Sequence, residues 1–312
     1  MPRAELDVVT GAFGYTGRHI TRRLLASGRR VRTLTGHPDR PNPFGPHVEA
    51  RALDFDRSAA LAEGLRGADT LYCTYWIRFA RGPLTHAQAA RNLETLFAAA
   101  RSVGVRRVVH VSITGASPES PLPYFRGKGQ AEEALHGSGL SAAVLRPALI
   151  FGAEDILLHN IAWILRHSPV FAIFGRGNYR LQPVHVDDLA ALAVDLGRGS
   201  DAVTLDAVGP ETYTYAGLVR AIARALGRRP RTIHVSPGVG WALGAALGLL
   251  VGDVVVTRDE IAGLMAGLLV SSGPPTAPTR LGAWLAEHSG ELGRHYVSEV
   301  ERHYARARPL RR

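Results

Sequence analysis

The sequence predicts an α/β protein built on a Rossmann-type, doubly wound parallel sheet, with a smaller and mostly helical carboxy-terminal lobe. Three observations carry this expectation. Through the first 150 residues, short β-branched runs alternate with longer helical patterns, the rhythm of a parallel sheet covered on both faces. A glycine-rich turn, Thr10-Gly11-Ala12-Phe13-Gly14-Tyr15-Thr16-Gly17, stands between the first strand and the first helix. After Pro147 the alternation loosens and helical patterns dominate. The expected division is an NAD(P)-binding domain over residues 1–150 and a helical substrate lobe over residues 151–312, interleaved with the sheet edge.

The elements follow from periodicity. Leu6–Thr10 reads as the first strand and Gly17–Ser27 as the first helix, with Ile20, Leu24 and Leu25 on one face. Arg30–Thr35 and Val48–Leu53 read as the second and third strands, followed by a helix near Ser58–Leu65. Thr70–Thr74 is the fourth strand. A long helix fits His86–Val103, with Ala89, Leu93, Leu96 and Ala100 at helical spacing. Arg107–Ser112 is the fifth strand, Gly127–His136 is helical, and Ser141–Leu145 is the sixth strand. Beyond Pro147, helices are expected over Ile156–Arg166, Asp187–Leu196, Tyr215–Leu226, Trp241–Val251, Asp259–Leu269 and Arg280–Tyr304. Two short strands, Thr204–Val208 and Thr232–Val235, interleave with them.

Composition narrows the classes. The 312 residues are 46% apolar and 21% charged, which permits a sizeable core and excludes disorder as the main state. One cysteine, Cys73, excludes a disulfide framework and a multi-cysteine metal site; no metal is expected. The net charge is +10, but the arginines are scattered apart from short pairs and the tail Arg302–Arg312, so no nucleic-acid partner is expected. The start shows no signal-peptide pattern, and the longest apolar run, Val239–Gly252, is too short to span a bilayer. That run reads as a pocket wall or core helix. Its glycines Gly240, Gly244 and Gly248 recur every fourth residue, which suits close helix packing. A cytoplasmic protein without an integral membrane segment is expected, acting on a small molecule and possibly homodimeric.

Two motifs carry chemistry. In the glycine turn, Gly11 permits the sharp bend, Gly14 admits a pyrophosphate to the backbone, and Gly17 lets the helix pack on the strand. Phe13, Tyr15 and Thr16 complete that loop, and the helix's unpaired N–H groups favour phosphate. The second motif is Tyr124-Phe-Arg-Gly-Lys128. Tyr and Lys at i and i+4 share a helix face. A phenol titrates near 10, and a neighbouring ammonium lowers that value toward useful acid–base chemistry. Lys128 is the only lysine among 37 cationic residues, so it marks a task that a guanidinium does not serve.

Together these features resemble the short-chain dehydrogenase/reductase superfamily, closest to its extended and atypical, epimerase/dehydratase-like branches. Supporting segments are Asp54-Phe55-Asp56, where the family places an Asp near the adenine, Arg146-Pro147-Ala-Leu-Ile-Phe-Gly152 after the sixth strand, and Pro183-Val-His185-Val-Asp187-Asp188-Leu-Ala190. The chain also looks like the NAD(P)H-binding accessory subunits of respiratory complex I and their bacterial relatives. By resemblance Tyr124 is the acid/base, and Lys128 holds the nicotinamide ribose and lowers the tyrosine pKa. The third catalytic group is a hydroxyl after the fifth strand. In Val111-Ser112-Ile113-Thr114 the register leaves Ser112 and Thr114 both as candidates, with Ile113 between them. Asn92 stands where the family has a helical Asn, and Cys73-Thr-Tyr-Trp76 replaces the usual Asn-Ala-Gly. His185 and Asp187 take a structural role.

The implied activity is that of an NAD(P)-dependent oxidoreductase acting on a carbonyl or alcohol. The alternatives are a non-catalytic dinucleotide-binding scaffold, assembly factor or redox sensor, and a sugar-nucleotide epimerase. NADP(H) is expected to be preferred, with NAD(H) possible. The second strand ends at Thr35, where an NAD site usually carries an acid. Arg32, His37 and Arg40 are the candidate partners of a 2′-phosphate, with Asp39 opposing them.

Overall fold

The structure is a computed structural model that describes residues 5–304. The first residues of the chain and most of the Arg302–Arg312 tail lie outside the described residues. The chain forms two compact units. One runs through Pro147 and adds Val186–Ala207; the other comprises Ala148–His185 and the chain from Val208 onward.

The first unit contains β1 (Leu6–Thr10), α1 (Tyr15–Ala26), β2 (Arg30–Thr35), β3 (Val48–Ala52), α2 (Ser58–Leu65), β4 (Ala68–Cys73), α3 (His86–Ser102), β5 (Arg107–Val111), α4 (Pro123–Gly137) and β6 (Ser141–Pro147). The chain continues through β7 (Leu149–Phe151), α5 (Leu157–His167), β8 (Val170–Phe174), β9 (Arg180–Leu181) and β10 (Pro183–His185) of the second unit. It returns with α6 (Val186–Arg198) and β11 (Val203–Ala207). The second unit then closes with β12 (Tyr213–Thr214), α7 (Tyr215–Ala225), β13 (Arg231–Val235), α8 (Pro237–Val251), α9 (Arg258–Met265), α10 (Leu281–His288) and α11 (Glu299–Tyr304).

Seven parallel strands form the main sheet in the order β11-β6-β5-β4-β1-β2-β3. Strand order reverses beside β1, so the carboxyl ends of β1 and β4 flank the crevice where such sheets bind ligands. The strands read as apolar runs because both faces are covered. Val8, Leu34, Leu71, Val108 and Val144 form one core with Leu61 of α2, Leu93, Leu96 and Phe97 of α3, and Leu135 of α4. At the opposite, amino-terminal edge, buried Asp7 takes two hydrogen bonds of 2.6 Å from Arg29, which also reaches Asp69.

Arg107 secures the seventh strand. Its side chain is fully buried and donates to Leu196 O at 2.6 Å, Ser141 Oγ at 2.7 Å and Asp201 O at 2.9 Å. It thus ties β5 to β6 and to both ends of the α6–β11 connection.

The second unit has its own core, in which Phe151, Leu158 and Ile161 meet Leu218 and Ile222 of α7 and Trp284 of α10. Short pairings β7–β10, β8–β13 and β9–β12 accompany it. Asp253 accepts from Tyr296 Oη, Glu299 N and Val300 N at 2.9–3.0 Å, pinning the chain before α11.

Several expectations are corrected. The single helix expected over Arg280–Tyr304 is two, α10 and α11. Gly293 sits at φ +70°, and a Cβ there would lie 2.5 Å from the Ala162 backbone, so the chain must turn where a helix would collide. Helix α4 starts at Pro123, not Gly127, because proline at the first position is already set to helical φ. The short strands β7, β9, β10 and β12 carry too few residues for an alternation to register, and β8, a continuous apolar run Val-Phe-Ala-Ile-Phe, shows no alternation. Helix α8 is not buried: only Gly240 and Gly248 are, while Leu249 is 88% and Leu250 84% exposed. No helix among the described residues is long and apolar enough to cross a membrane.

Replacing Arg107 by Ala should cost about 2 kcal/mol, because the fully buried side chain leaves a void and the Leu196 and Asp201 carbonyls and Ser141 Oγ lose their donor. Denaturant unfolding checks this; a loss below about 0.5 kcal/mol would show that the buried guanidinium does not secure β11.

Candidate active site

The glycine turn forms a backbone cradle. Gly11 takes φ +70° and donates its N–H to Leu34 O at 2.8 Å, while Gly14 N–H turns back to Gly11 O at 2.8 Å. A Cβ on Gly17 would lie 2.3 Å from Gly11 O, so only glycine lets α1 approach β1. On Gly14 a Cβ would meet the same oxygen at 3.2 Å. Helix α1 begins at Tyr15 with no side-chain cap and no acidic residue in its first turn. Its amino-terminal N–H groups and dipole suit an anion, which fits the pyrophosphate of a dinucleotide. Around it, Phe13 O accepts from Arg18 Nη2 at 3.0 Å, the Tyr15 ring meets His19 edge-on at 5.8 Å, and Thr16 is half-buried.

The cradle is joined to β4 through Thr10. Its hydroxyl accepts from Thr74 N at 2.8 Å and Tyr75 N at 3.0 Å. This turns the segment after Cys73 along the end of β1. Burial pushes the Cys73 thiol up to about 11, so it is no nucleophile at neutral pH.

Helix α4 presents Tyr124 and Lys128 one turn apart. Lys128 is 3% exposed and donates from Nζ to Val111 O at 2.8 Å, and the ammonium lies 4.5 Å from the Trp76 ring centre. Burial pushes its pKa down to about 7, against the pull of Cys73 and Glu132. The Tyr124 ring meets Trp76 at 5.9 Å and His86 at 5.4 Å, both edge-on. Trp76 and His86 themselves stack at 6.0 Å. Gly127 allows this approach, since a Cβ there would lie 3.0 Å from His86 O and 3.1 Å from Trp76.

Ser112 and Thr114 flank Ile113 beyond β5. Both hydroxyl residues are buried, at 4% and 1% exposure, and Ile113 between them is the half-exposed one, as alternation in extended chain requires. The Ser112 hydroxyl donates to the Glu132 carboxylate. Glu132 in turn takes hydrogen bonds from Arg146, whose Nε lies 3.0 and 3.1 Å from its two oxygens. Ser112 N donates to Leu145 O and Thr114 N to Pro147 O, which places Pro147 beside the end of β5.

On the other side of the cradle, Thr35 is buried and accepts from His37 N at 3.2 Å, and Arg40 N donates to His37 O. Arg32 is committed elsewhere: it pairs with Glu49 at 2.7 Å and donates to Gly64 O and Arg66 O. Leu53 N donates to Thr35 O, bringing Asp54 and Phe55 to the end of β2. The Arg57 guanidinium, 2.6 Å away, holds Asp54 below the usual carboxylate range. Phe55 packs on Tyr75 at 4.8 Å, and Tyr75 Oη accepts from Asn92 at 2.8 Å. Asp187 meets His19 at 2.5 Å, while His185 packs on Phe151 and Trp284.

Sequence reasoning missed Trp76, His86, Glu132 and Arg146 as parts of the site. Two aromatic residues directly after a strand, in a chain only 7% aromatic, were the available signal for Trp76. Nothing local marks His86 or Glu132.

Comparison with known proteins bears on the domain and the fold. A family model described as NAD(P)H-binding matches residues 11–155. The chain is 29% identical over 243 residues to a ceramide reductase of Caulobacter vibrioides, covering 74% of each protein. It is 27% identical to the mitochondrial NADH dehydrogenase [ubiquinone] 1 alpha subcomplex subunit 9 of Arabidopsis thaliana, covering 84% of this chain and 70% of that one. Its fold is similar to an NADPH-dependent quinone oxidoreductase of Escherichia coli solved with NADPH, with a TM-score of 0.72 and 21% identity over 92% of this chain and 99% of that one. Residues 11–155 therefore carry an NAD(P)H-binding domain on a Rossmann-type sheet, and the chain is similar to the atypical, epimerase-like branch of the short-chain dehydrogenase/reductases.

Proposed function

We propose that the protein is an NAD(P)H-dependent reductase that converts a carbonyl of a small-molecule substrate to an alcohol in the cytoplasm. The observation that carries this reading is the placement of Tyr124 one turn before a buried, desolvated Lys128, with Trp76 touching both. The Cys73-Thr74-Tyr75 segment that bonds to Thr10 leads from the glycine cradle directly to that tryptophan. The reductase names among the relatives support the same chemistry.

The bound dinucleotide supplies the hydride. The residues do the rest. The cradle at Gly11, Gly14 and Gly17 holds the pyrophosphate. Phe55 and Asp54 border the adenosine side. Tyr124 donates its proton to the carbonyl oxygen as negative charge develops there. The phenolate left behind is stabilised by the Lys128 ammonium, which Val111 O fixes in place. Trp76 and His86 wall the reacting centre from water.

Neither hydroxyl after β5 takes the usual polarising part in this scheme. A serine has one O–H, and that of Ser112 is given to Glu132. Ser112, Glu132 and Arg146 act as a buried brace between α4 and β6, and Thr114 holds the turn against Pro147. A second reading, a dinucleotide-binding scaffold or redox sensor without turnover, draws on the same burial of Ser112 and Thr114. The cofactor preference we assign is NADP(H), because Thr35 leaves no carboxylate against a 2′-phosphate. With Arg32 committed to Glu49, His37 and Arg40 are its partners.

Lys128→Arg should fold, bind NADPH more weakly and lose on the order of a hundredfold in turnover, because the planar fork displaces the charge by about 1 Å or more. Tyr124→Phe should keep NADPH binding and lose turnover, while Thr114→Val should lose far less. Cofactor titration and reductase assays against a carbonyl panel check this. NADPH binding without turnover of any carbonyl would favour the scaffold, and wild-type behaviour of Lys128→Arg would remove Lys128 from the mechanism.

Arg40→Ala should weaken NADPH binding about tenfold and leave NADH binding unchanged, as loss of one charge-assisted contact requires. Tighter binding of NADH than NADPH by the wild type would defeat the preference.

Stability should carry the Lys128 signature. The folded protein holds this amine near 7 against 10.5 in the unfolded chain. Between those values the unfolded chain binds more protons, so this group makes stability rise with pH. Relative to a Lys128→Met variant, the wild type should gain about 2 kcal/mol between pH 7 and pH 9. Equal pH dependence of the two proteins in denaturant unfolding would show that the amine is not desolvated.

A further inference from the structure

Helix α8 presents an apolar face that none of the described residues of its own unit covers. Its three glycines explain why. A Cβ on Gly240 would lie 2.2 Å from the Phe174 ring, on Gly244 2.6 Å from Val256, and on Gly248 2.5 Å from Asp253 O. The glycine stripe is therefore consumed by packing against β8 and the chain leading into α9. At 100° per residue the opposite side carries Val239, Ala242, Leu243, Ala246, Leu249 and Leu250, and all six are exposed. Leu249 and Leu250 are more than four-fifths exposed. Neighbouring Val170 and Ile233 add further exposed apolar surface. No charged residue interrupts the helix.

The chain leading into the helix is cationic. Between Glu211 and Asp253 the chain has no acidic residue but carries Arg220, Arg224, Arg228, Arg229 and Arg231, all exposed. The last three immediately precede β13 or lie at its start, and β13 leads into α8. Exposed Arg258 covers the Trp241 ring at 4.2 Å, adding a cation along the helix. Of the nearby acids, Glu260 is committed to the α9 cap with Thr257, and Asp253 to Tyr296 and the α11 backbone. Asp259 is exposed, and Glu299, beside Asp253, is buried.

We propose that α8 docks the protein onto the surface of an anionic phospholipid bilayer, its outer face lying in the boundary between headgroups and acyl chains and the arginines on lipid phosphates. Fifteen residues reach only about 22 Å, short of the roughly 30 Å hydrocarbon core, so the helix lies along the surface and does not span it. A second copy is a poorer occupant. A two-fold contact through this face sets each apolar patch against itself and offers no counter-charge to the exposed arginines near it in the sequence. An anionic surface satisfies both the apolar face and the charge.

Flotation with vesicles tests this on the full chain, using phosphatidylcholine alone and phosphatidylcholine mixed with phosphatidylglycerol. The protein should float with the anionic vesicles and about tenfold less with the neutral ones, and the difference should shrink at high salt. The double variant Leu249→Asp/Leu250→Asp should lose flotation while keeping the wild-type melting temperature and NADPH affinity. Arg228→Gln/Arg229→Gln/Arg231→Gln should weaken binding to anionic vesicles alone. Failure of the wild type to float overturns the proposal. So does equal flotation of the double variant, or a dimer in solution that the double variant dissociates.

Discussion

A parallel sheet has to be buried on both faces, and much of this molecule follows from that requirement. The strands from Leu6 to Pro147 form six of the seven places in the sheet and leave β6 at an edge. The chain meets the requirement late: it departs for Ala148–His185 and returns to add α6 and β11. Arg107 makes the addition hold. Three acceptors around its guanidinium satisfy the fork, and burial lowers its pKa only from a value where the charge is permanent. The same requirement creates the crevice. Helices on both faces mean that strand order reverses somewhere, and it reverses beside β1, where the glycine turn leaves its backbone open.

The site is built by removing polar groups from water and then satisfying them. Lys128 loses hydration and gains a carbonyl and an indole face. Glu132 loses hydration and gains Arg146 and Ser112. These two residues lie one turn apart on α4, and Tyr124 lies one turn before them. A helix that buries an amine and a carboxylate in succession cannot slide without stranding a charge, which costs more than a displaced apolar contact. The position of Tyr124 is thereby set from below. The glycines on the same helix serve the same end: a Cβ on Gly129 would lie 2.3 Å from the backbone of Ser117 and Pro118.

The second unit follows a different logic. Its core is aromatic and aliphatic, with Trp284 between Phe151 and His185 and stacked on His288 at 4.5 Å. Glycine is used there for closeness as well. In α8 it brings the helix onto Phe174 and Val256 and leaves Val239, Leu243, Leu249 and Leu250 exposed on the other side. The hydrophobicity of that helix thus records what its outer face meets and not what its inner face packs on.

The sequence by itself determined the sheet and its cradle. β-Branched runs separated by helical spacing admit few arrangements, and the glycine turn is read directly, because Gly11 takes a positive φ and a Cβ on Gly17 would lie 2.3 Å from Gly11 O. The Tyr124–Lys128 spacing was equally legible, since one helix turn is a local property. What only the tertiary structure decided is which side chains are spent on neighbours distant in the chain. Arg32 is a candidate for a phosphate until Glu49 is seen beside it, and the Ser112 hydroxyl is a candidate donor to a substrate until it is seen donating to Glu132. The burial of α8 was misjudged for the same reason. An apolar helix reads identically whether its large residues face a core or face outward, and only the partners of its glycines show which. Local geometry is encoded in consecutive residues, whereas the allocation of a hydrogen bond or an apolar face depends on pairs that the sequence does not place side by side.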